Sequence, residues 1–442
     1  MKKIQCLNWF SAVLLLLACE VWATPPLPEN DGYKQNGVAS CAGSTCHGAV
    51  RPFAGSNILH NEFITWTRED RHAKAYQVLL NKESKIIARK LGIKAPHTEK
   101  ICLDCHASNI AAKRRGDKFQ LSEGVSCEAC HGGSERWLNS HANKKATHID
   151  NMKKGLYPTE DPEARARLCL SCHFGDNNKF VTHQIMGAGH PRLSFELDTF
   201  TALMPAHHVV DKDYQQRKGA RSVTKVWATG QIVAVESFLQ QLTQRGLQQE
   251  KLFPELSLYD CHSCHHRMSN LRWSPRRSTG LGPGVVRFHD ANFVVLFAAL
   301  NAIEPQQAQR FQGNTRALHL ASTKTITAIQ SAITDLERQL PELKALVKEN
   351  AFTPQTIRSI LNQVIQAGLK QEFLDYAAAE QATMSIGAML TDLDGFAVFS
   401  AKAQDSINKG LNGLYKCVED DEKYKVACFA TALKQLHAAT KQ

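Results

Sequence analysis

Ten of the 14 cysteines fall into five pairs, each followed directly by a histidine. Four pairs read C-x-x-C-H: Cys102, Cys105 and His106; Cys127, Cys130 and His131; Cys169, Cys172 and His173; Cys261, Cys264 and His265. The pair that comes first in the chain is wider, with four residues between Cys41 and Cys46 before His47. C-x-x-C-H is the attachment signal for a c-type haem. Two thiols must reach the two vinyl groups on one porphyrin edge, and the next residue must swing beneath the iron to offer an imidazole nitrogen. Zinc sites and disulfides also pair cysteines, but neither demands a histidine straight after every second thiol. The pattern predicts five covalently bound c-type haems, with His47, His106, His131, His173 and His265 as the proximal iron ligands. At the first motif the competing reading is a Cys41–Cys46 disulfide with His47 as a bystander.

Five proximal ligands leave 14 of the 19 histidines. Imidazole is the usual second axial ligand of low-potential electron carriers, so some of these are expected on the far side of the irons. His72 lies on a predicted helix after Asp70. His141 and His148 follow the third motif closely. His183 and His190 bracket Gly187-Ala188-Gly189, whose glycines would let the backbone approach a porphyrin face. His207 and His208 follow Pro205-Ala206, and one of them is expected to ligate. The candidate distal ligands are therefore His72, His141, His148, His183, His190 and His207. His60 and His97 are less well placed, and His262 and His266 are constrained by their own motif. His289, His319 and His437 read as structural or surface residues. Arg114, Arg115, Arg136 and Arg192 read as partners for haem propionates, or as polar groups of a distal pocket.

These residues must be positioned by a mainly α chain. Apolar spacing predicts a helix over 58–80 with a break near Thr67, and another over 223–244. A helix over 162–169 opens on Asp161-Pro162, an N-cap and first-turn pair. Residues 41–273 read as a loop-rich pentahaem domain with little sheet, in which the cofactors form much of the core. Residues 274–288, rich in Gly and Pro, read as a linker. Residues 289–442 carry helical stripes such as Ile326, Ile329, Ile333 and Leu336, or Ile357, Ile360, Leu361, Val364 and Ile365, and predict a helical bundle. Cys417 and Cys428 suit a local disulfide, with two free thiols as the alternative.

Lys2 and Lys3 precede an apolar run, Ala12 to Ala18, and Val21-Trp22-Ala23 fits a cleavage site. Residues 1–23 thus read as a signal peptide and 24–40 as a flexible lead-in, which predicts a periplasmic protein. The alternative is a lipoprotein box ending at Cys19, which would carry a lipid anchor. No other apolar run is long enough for a transmembrane helix in the mature chain. The formal charge of +11 could suggest an anionic partner. Losing residues 1–23 removes Lys2, Lys3 and Glu20 and leaves +10. Ten propionates then subtract ten and five ferric porphyrins add five, so the holoprotein would be about +5 oxidised and about 0 reduced. The basic excess is counter-charge to the cofactors, and no nucleic-acid motif accompanies it.

On Gly124-Val-Ser-Cys127-Glu-Ala-Cys130-His131-Gly-Gly, Cys169-Leu-Ser-Cys172-His173, the Asp-x-His-Ala-x-Ala-Tyr stretch around His72, and Met186-Gly-Ala-Gly-His190-Pro191, the chain resembles the multihaem cytochrome c-554 family. The resemblance covers roughly residues 41–268. It implies a mostly helical, loop-rich periplasmic protein whose closely stacked haems pass single electrons, with His72, His141 and His190 as distal ligands. The family's namesake is tetrahaem, whereas this chain has five motifs, one of them C-x4-C-H, and a C-terminal helical region with no counterpart matched there. The expected function is electron transfer between periplasmic redox proteins, a membrane-bound complex being one option. A family haem with an open axial position supplies the alternative, a haem oxidoreductase acting on a small nitrogen or sulfur compound. A third reading makes the helical region a docking subunit of a larger redox complex.

Overall fold

The computed structural model describes residues 25–55, 58–219, 222–247, 255–266 and 276–441. The expected signal peptide with Cys19 lies outside these residues, as does 267–275, where the haem region was expected to pass into the linker. Among the described residues the protein is helical and has no sheet. Extended pairing is limited to two isolated bridges, Gln35 with Arg115 and Tyr259 with Phe288. No described helix is long and apolar enough to cross a membrane.

Residues 25–219 form short helices and 3-10 turns joined by loops. Three regular motifs fall at helix ends: Lys100–His106, Cys127–His131 and Pro162–His173. In a helix, residues i, i+3 and i+4 share one face, so a single turn presents both thiols and the histidine to one side. The helix predicted over 162–169 therefore runs on through its motif. Asp161 caps it by accepting from the Ala164 N–H at 2.9 Å. The helix expected over 58–80 is instead Glu62–Glu69, a 3-10 turn Arg71–Lys74, and Ala75–Val78. Its break falls at Asp70 rather than near Thr67. Asp70 is extended (φ −78°, ψ 129°) and its carboxylate accepts from the His72 N–H, which starts the next turn. Side-chain core is sparse here. One cluster is Leu79, Leu103 and Ala107, and a second joins Ala166, Leu170 and Leu197 to Val226, Val233 and Ala234.

Residues 291–439 form the helices Ala291–Ile303, Pro305–Ala321, Ile326–Glu349, Pro354–Leu369, Tyr376–Gly395, Ala401–Cys417 and Val426–Ala439. They share one continuous core. Ile357, Ile360, Leu361, Val364 and Ile365 are all buried, as their spacing predicts. In the preceding stripe Ile333 and Leu336 are buried, whereas Ile326, the first helical residue, is exposed. Cys417 and Cys428 are bonded to each other, with Cα atoms 5.9 Å apart, and join the last two helices.

The boundary between the two regions differs from the sequence expectation. The Val223–Gln241 helix, continued by a π turn over Leu242–Gly246, is buried on nearly all sides. Val226, Val233 and Ala234 pack toward the fourth-motif helix, while Trp227, Ile232, Val235 and Leu239 belong to the core of the bundle. The expected linker is also packed in: Arg276, Thr279, Arg287 and Phe288 are buried. The reason is electrostatic, because two of its arginines, Arg276 and Arg287, are enclosed among carboxylates of the fifth motif and the bundle.

Candidate functional site

The five motifs share one local geometry despite their different spacing. The His265 N–H donates to the Cys261 carbonyl at 2.8 Å, closing one turn. In the wide motif the His47 N–H donates to the Cys41 carbonyl at 3.2 Å, so the two additional residues bulge out and the histidine still returns to the first cysteine. Gly48 allows this return, since a Cβ there would lie 2.0 Å from the Ala42 oxygen. His60 buttresses the same loop, its Nδ1 meeting the Cys46 carbonyl.

Each motif histidine faces a second imidazole. Ring centroids are 6.1 Å apart for His47 and His141, and 6.3 Å for His106 and His190. They are 6.4 Å apart for His131 and His207, 6.1 Å for His173 and His72, and 6.0 Å for His265 and His183. A metal held between two imidazoles, bonded to each at about 2 Å with each ring about 1.1 Å from nitrogen to centroid, sets the centroids about 6 Å apart. The residues present therefore fit a haem iron at all five motifs. His190 reaches its partner because Gly189, at φ 119°, ends the His183–Ala188 helix in the left-handed region that suits glycine.

Acceptors on Nδ1 leave Nε2 available to a metal, the arrangement that metal-binding imidazoles use. Glu62 takes Nδ1 of His47 at 3.0 Å, Asp70 that of His72 at 2.9 Å, and the Ala75 carbonyl that of His106 at 3.1 Å. The Pro191 carbonyl holds His190 at 2.8 Å and the Trp137 carbonyl holds His141 at 3.3 Å. The hydrogen bonds to Glu62 and Asp70 push the pKa of His47 and His72 up. Burial pushes His131 and His173 down to about 4, which keeps both neutral, the form that binds metal.

Of the six distal candidates only His148 faces no motif histidine among the described residues. Its Nε2 meets the Glu160 carboxylate, which Lys218 also holds at 3.1 Å. Of His207 and His208, His207 is the one that faces His131, whereas the His208 ring lies 5.6 Å from that of Tyr214. The four arginines expected near propionates have protein partners. Arg114 ties down the lead-in through the Tyr33 and Pro28 carbonyls and Asp31, and Arg115 bonds the Ile110 carbonyl. Arg136 lies over the Tyr33 ring, and Arg192 pairs with Glu380 at 2.9 Å. Sequence reasoning missed the carboxylates that hold the motifs. Glu128, buried between Cys127 and Cys130, accepts from the backbone of Asn36, Gly37 and Ser134. Glu62 lies fifteen residues from His47 with no local signal, whereas Asp70 could be read two residues before His72.

The motifs are neighbours in space. The free thiols of Cys41 and Cys127 lie within hydrogen-bonding reach of each other, as do those of Cys105 and Cys172, which puts the first motif beside the third and the second beside the fourth. Cys130 is close to Cys169 and Cys172, which links the third to the fourth. A cavity lined by Leu170, His173, Phe195, Arg192, Cys261 and His289, among others, connects the fourth motif with the fifth. Behind the fifth motif lies a buried ion cluster. Arg287 reaches Asp260 at 3.2 Å and Asp375 at 2.7 Å, Arg276 pairs with Asp290, and His319 Nε2 is 2.9 Å from Asp290. Burial pushes the Asp290 carboxyl up, but Arg276, His319 and Arg287 outweigh it and hold it well below the usual carboxylate range.

Residues 40–132, roughly a fifth of the chain, match the family model described as cytochrome c554 and c-prime. No curated protein and no solved structure matches the chain. The matched stretch spans the first three motifs with Glu62, Asp70 and His72, and its similarity to that family supports a c-type cytochrome of electron transfer, with covalently bound haem and redox proteins as partners.

Proposed function

We propose that this protein is an exported pentahaem cytochrome that passes single electrons between periplasmic redox partners through haems with two histidine ligands each. The observation that carries the reading is the second imidazole 6.0–6.4 Å from every motif histidine. The axial pairs would be His47 with His141, His106 with His190, His131 with His207, His173 with His72, and His265 with His183. Haem bound in this way supplies one-electron exchange at an iron with no vacant position. The chain's own residues do the rest. The cysteine pairs anchor each porphyrin edge, and the Nδ1 acceptors fix the tautomer and orientation of the imidazoles. The distal histidines exclude exogenous ligands. Export is supported by the pattern of residues 1–23 and by the Cys417–Cys428 bond, which suits an oxidising compartment.

The test is the haem count by intact-mass measurement, together with the visible spectrum on adding nitrite, hydroxylamine or nitric oxide. The proposal expects five haems per chain and no ligand-induced change. A spectral shift with any of these molecules would instead indicate an open iron and the oxidoreductase reading.

A further inference from the structure

We propose that the surface around the first motif is the docking face for an acidic redox protein, an assignment that rests on the haem reading above. The row of neighbouring motifs that runs from the fifth through the fourth and third ends at the first. Three features converge there.

His141, facing His47 at 6.1 Å, is itself exposed and ends the Leu138–His141 helix. The chain continues directly into Lys144 and Lys145 and then borders a shallow cleft lined by Ser140, Asn143, Lys145, Asp150, Lys153 and Lys154. Lys144, Lys145 and Lys153 are exposed, and Lys154 donates to the Ser140 hydroxyl at 2.6 Å. The cleft's one carboxylate, Asp150, is already engaged by the Thr147 N–H and hydroxyl in a capping box. Four ammonium groups thus rim the distal side of the first motif. The third feature is apolar. The loop leaving His47 exposes Val50 by 77%, Phe53 by 43% and Ile58 by 53%. The Phe53 ring stacks at 4.4 Å on His60, which lies 6.4 Å from His47.

Exposed apolar side chains beside a cationic rim suit a transient interface, in which charge steers the encounter and apolar contact holds it briefly. The complementary partner carries carboxylates around its own redox centre. A protein partner is favoured over a lipid surface because electron exchange needs a redox centre brought against this edge.

The test uses the full holoprotein reduced by photoreduced flavodoxin, an acidic one-electron donor, in stopped flow at low and high ionic strength. Lys144→Gln/Lys145→Gln/Lys153→Gln is compared with Lys402→Gln/Lys409→Gln/Lys416→Gln, a control on exposed positions of the Ala401–Cys417 helix. The first variant should slow the second-order rate about tenfold at low salt, and the difference should vanish at high salt. The control should change it less than about twofold. Three results would overturn the proposal. The first variant could be no slower than the control. It could shift one haem's potential while leaving the salt dependence intact, which would assign the lysines to propionates. Or it could lose binding to phosphatidylglycerol vesicles at an unchanged flavodoxin rate, which would assign them to a membrane. None of these results depends on how many irons are six-coordinate, which the spectrum of the unmodified protein decides separately.

Discussion

Residues 25–219 and 291–439 are built on opposite principles. In the bundle every long helix contributes to one apolar core, and Ile357, Leu336, Leu343, Ile386 and Leu433 are fully buried. In the haem region a cluster as small as Leu79, Leu103 and Ala107 serves as core, and the chain is otherwise tied by carboxylates such as Glu62, Asp70 and Glu128 to backbone and histidine. Burying apolar side chains stabilises the bundle from within. Residues 25–219 enclose too little apolar surface of their own, and on the proposed reading the haems attached at the cysteines would complete that core. The Val223–Gln241 helix belongs to both, with one side on the fourth-motif helix and the other in the bundle.

The largest expected effect separates the two regions outright. Protein made without haem attachment should lose protease resistance over 25–219 while 291–439 survives, as limited proteolysis with mass mapping would reveal. Simultaneous digestion of both would mean that the shared helix makes them one cooperative unit. Next comes the junction. Arg287→Met leaves Asp260 buried without its arginine and Asp375 with only Arg276 at 3.7 Å, which should cost about 3–5 kcal/mol in urea unfolding. The same cluster gives a pH dependence of definite sign. Asp290 has its folded pKa depressed, so its contribution is complete above the unfolded value of about 3.9 and is lost as the pH falls below that toward the folded value. Acid titration of the thermal midpoint should steepen in that range, and less so in Arg276→Met.

Smaller effects should stay within one region. Cys417→Ser opens a short loop and should cost about 2–3 kcal/mol in the bundle, leaving the haem spectrum unchanged. Asp161→Ala removes one helix cap and should cost about 1 kcal/mol, read as a lowered midpoint with the fourth haem still attached.

What could be read from the sequence follows the range of the interactions. The motifs are local, so their spacing identifies them, and the stripe from Ile357 to Ile365 marks a buried helix face for the same reason. The six distal candidates stand out as unexplained histidines close to motifs, but which motif histidine five of them face is not legible, because each of those pairs is closed by long-range folding. His148 met the same local criteria and faces Glu160 instead, a contact no spacing rule reveals. The Val223–Gln241 helix is buried on nearly all sides, polar positions such as Thr224 and Gln231 included, so its sequence gives no clue to which neighbour it serves. Arg276 and Arg287 sit among Gly, Pro and Ser in the sequence and look like loop arginines, while their carboxylate partners come from other elements.

Electron paramagnetic resonance of the fully oxidised holoprotein, taken beside His190→Ala, tests the two-histidine account most directly. The account predicts only low-spin ferric signals in the unmodified protein, and in the variant conversion of one iron in five to high spin, at the second motif, where His190 faces His106. A high-spin signal already present in the unmodified protein, or a variant spectrum identical to it, would contradict that account.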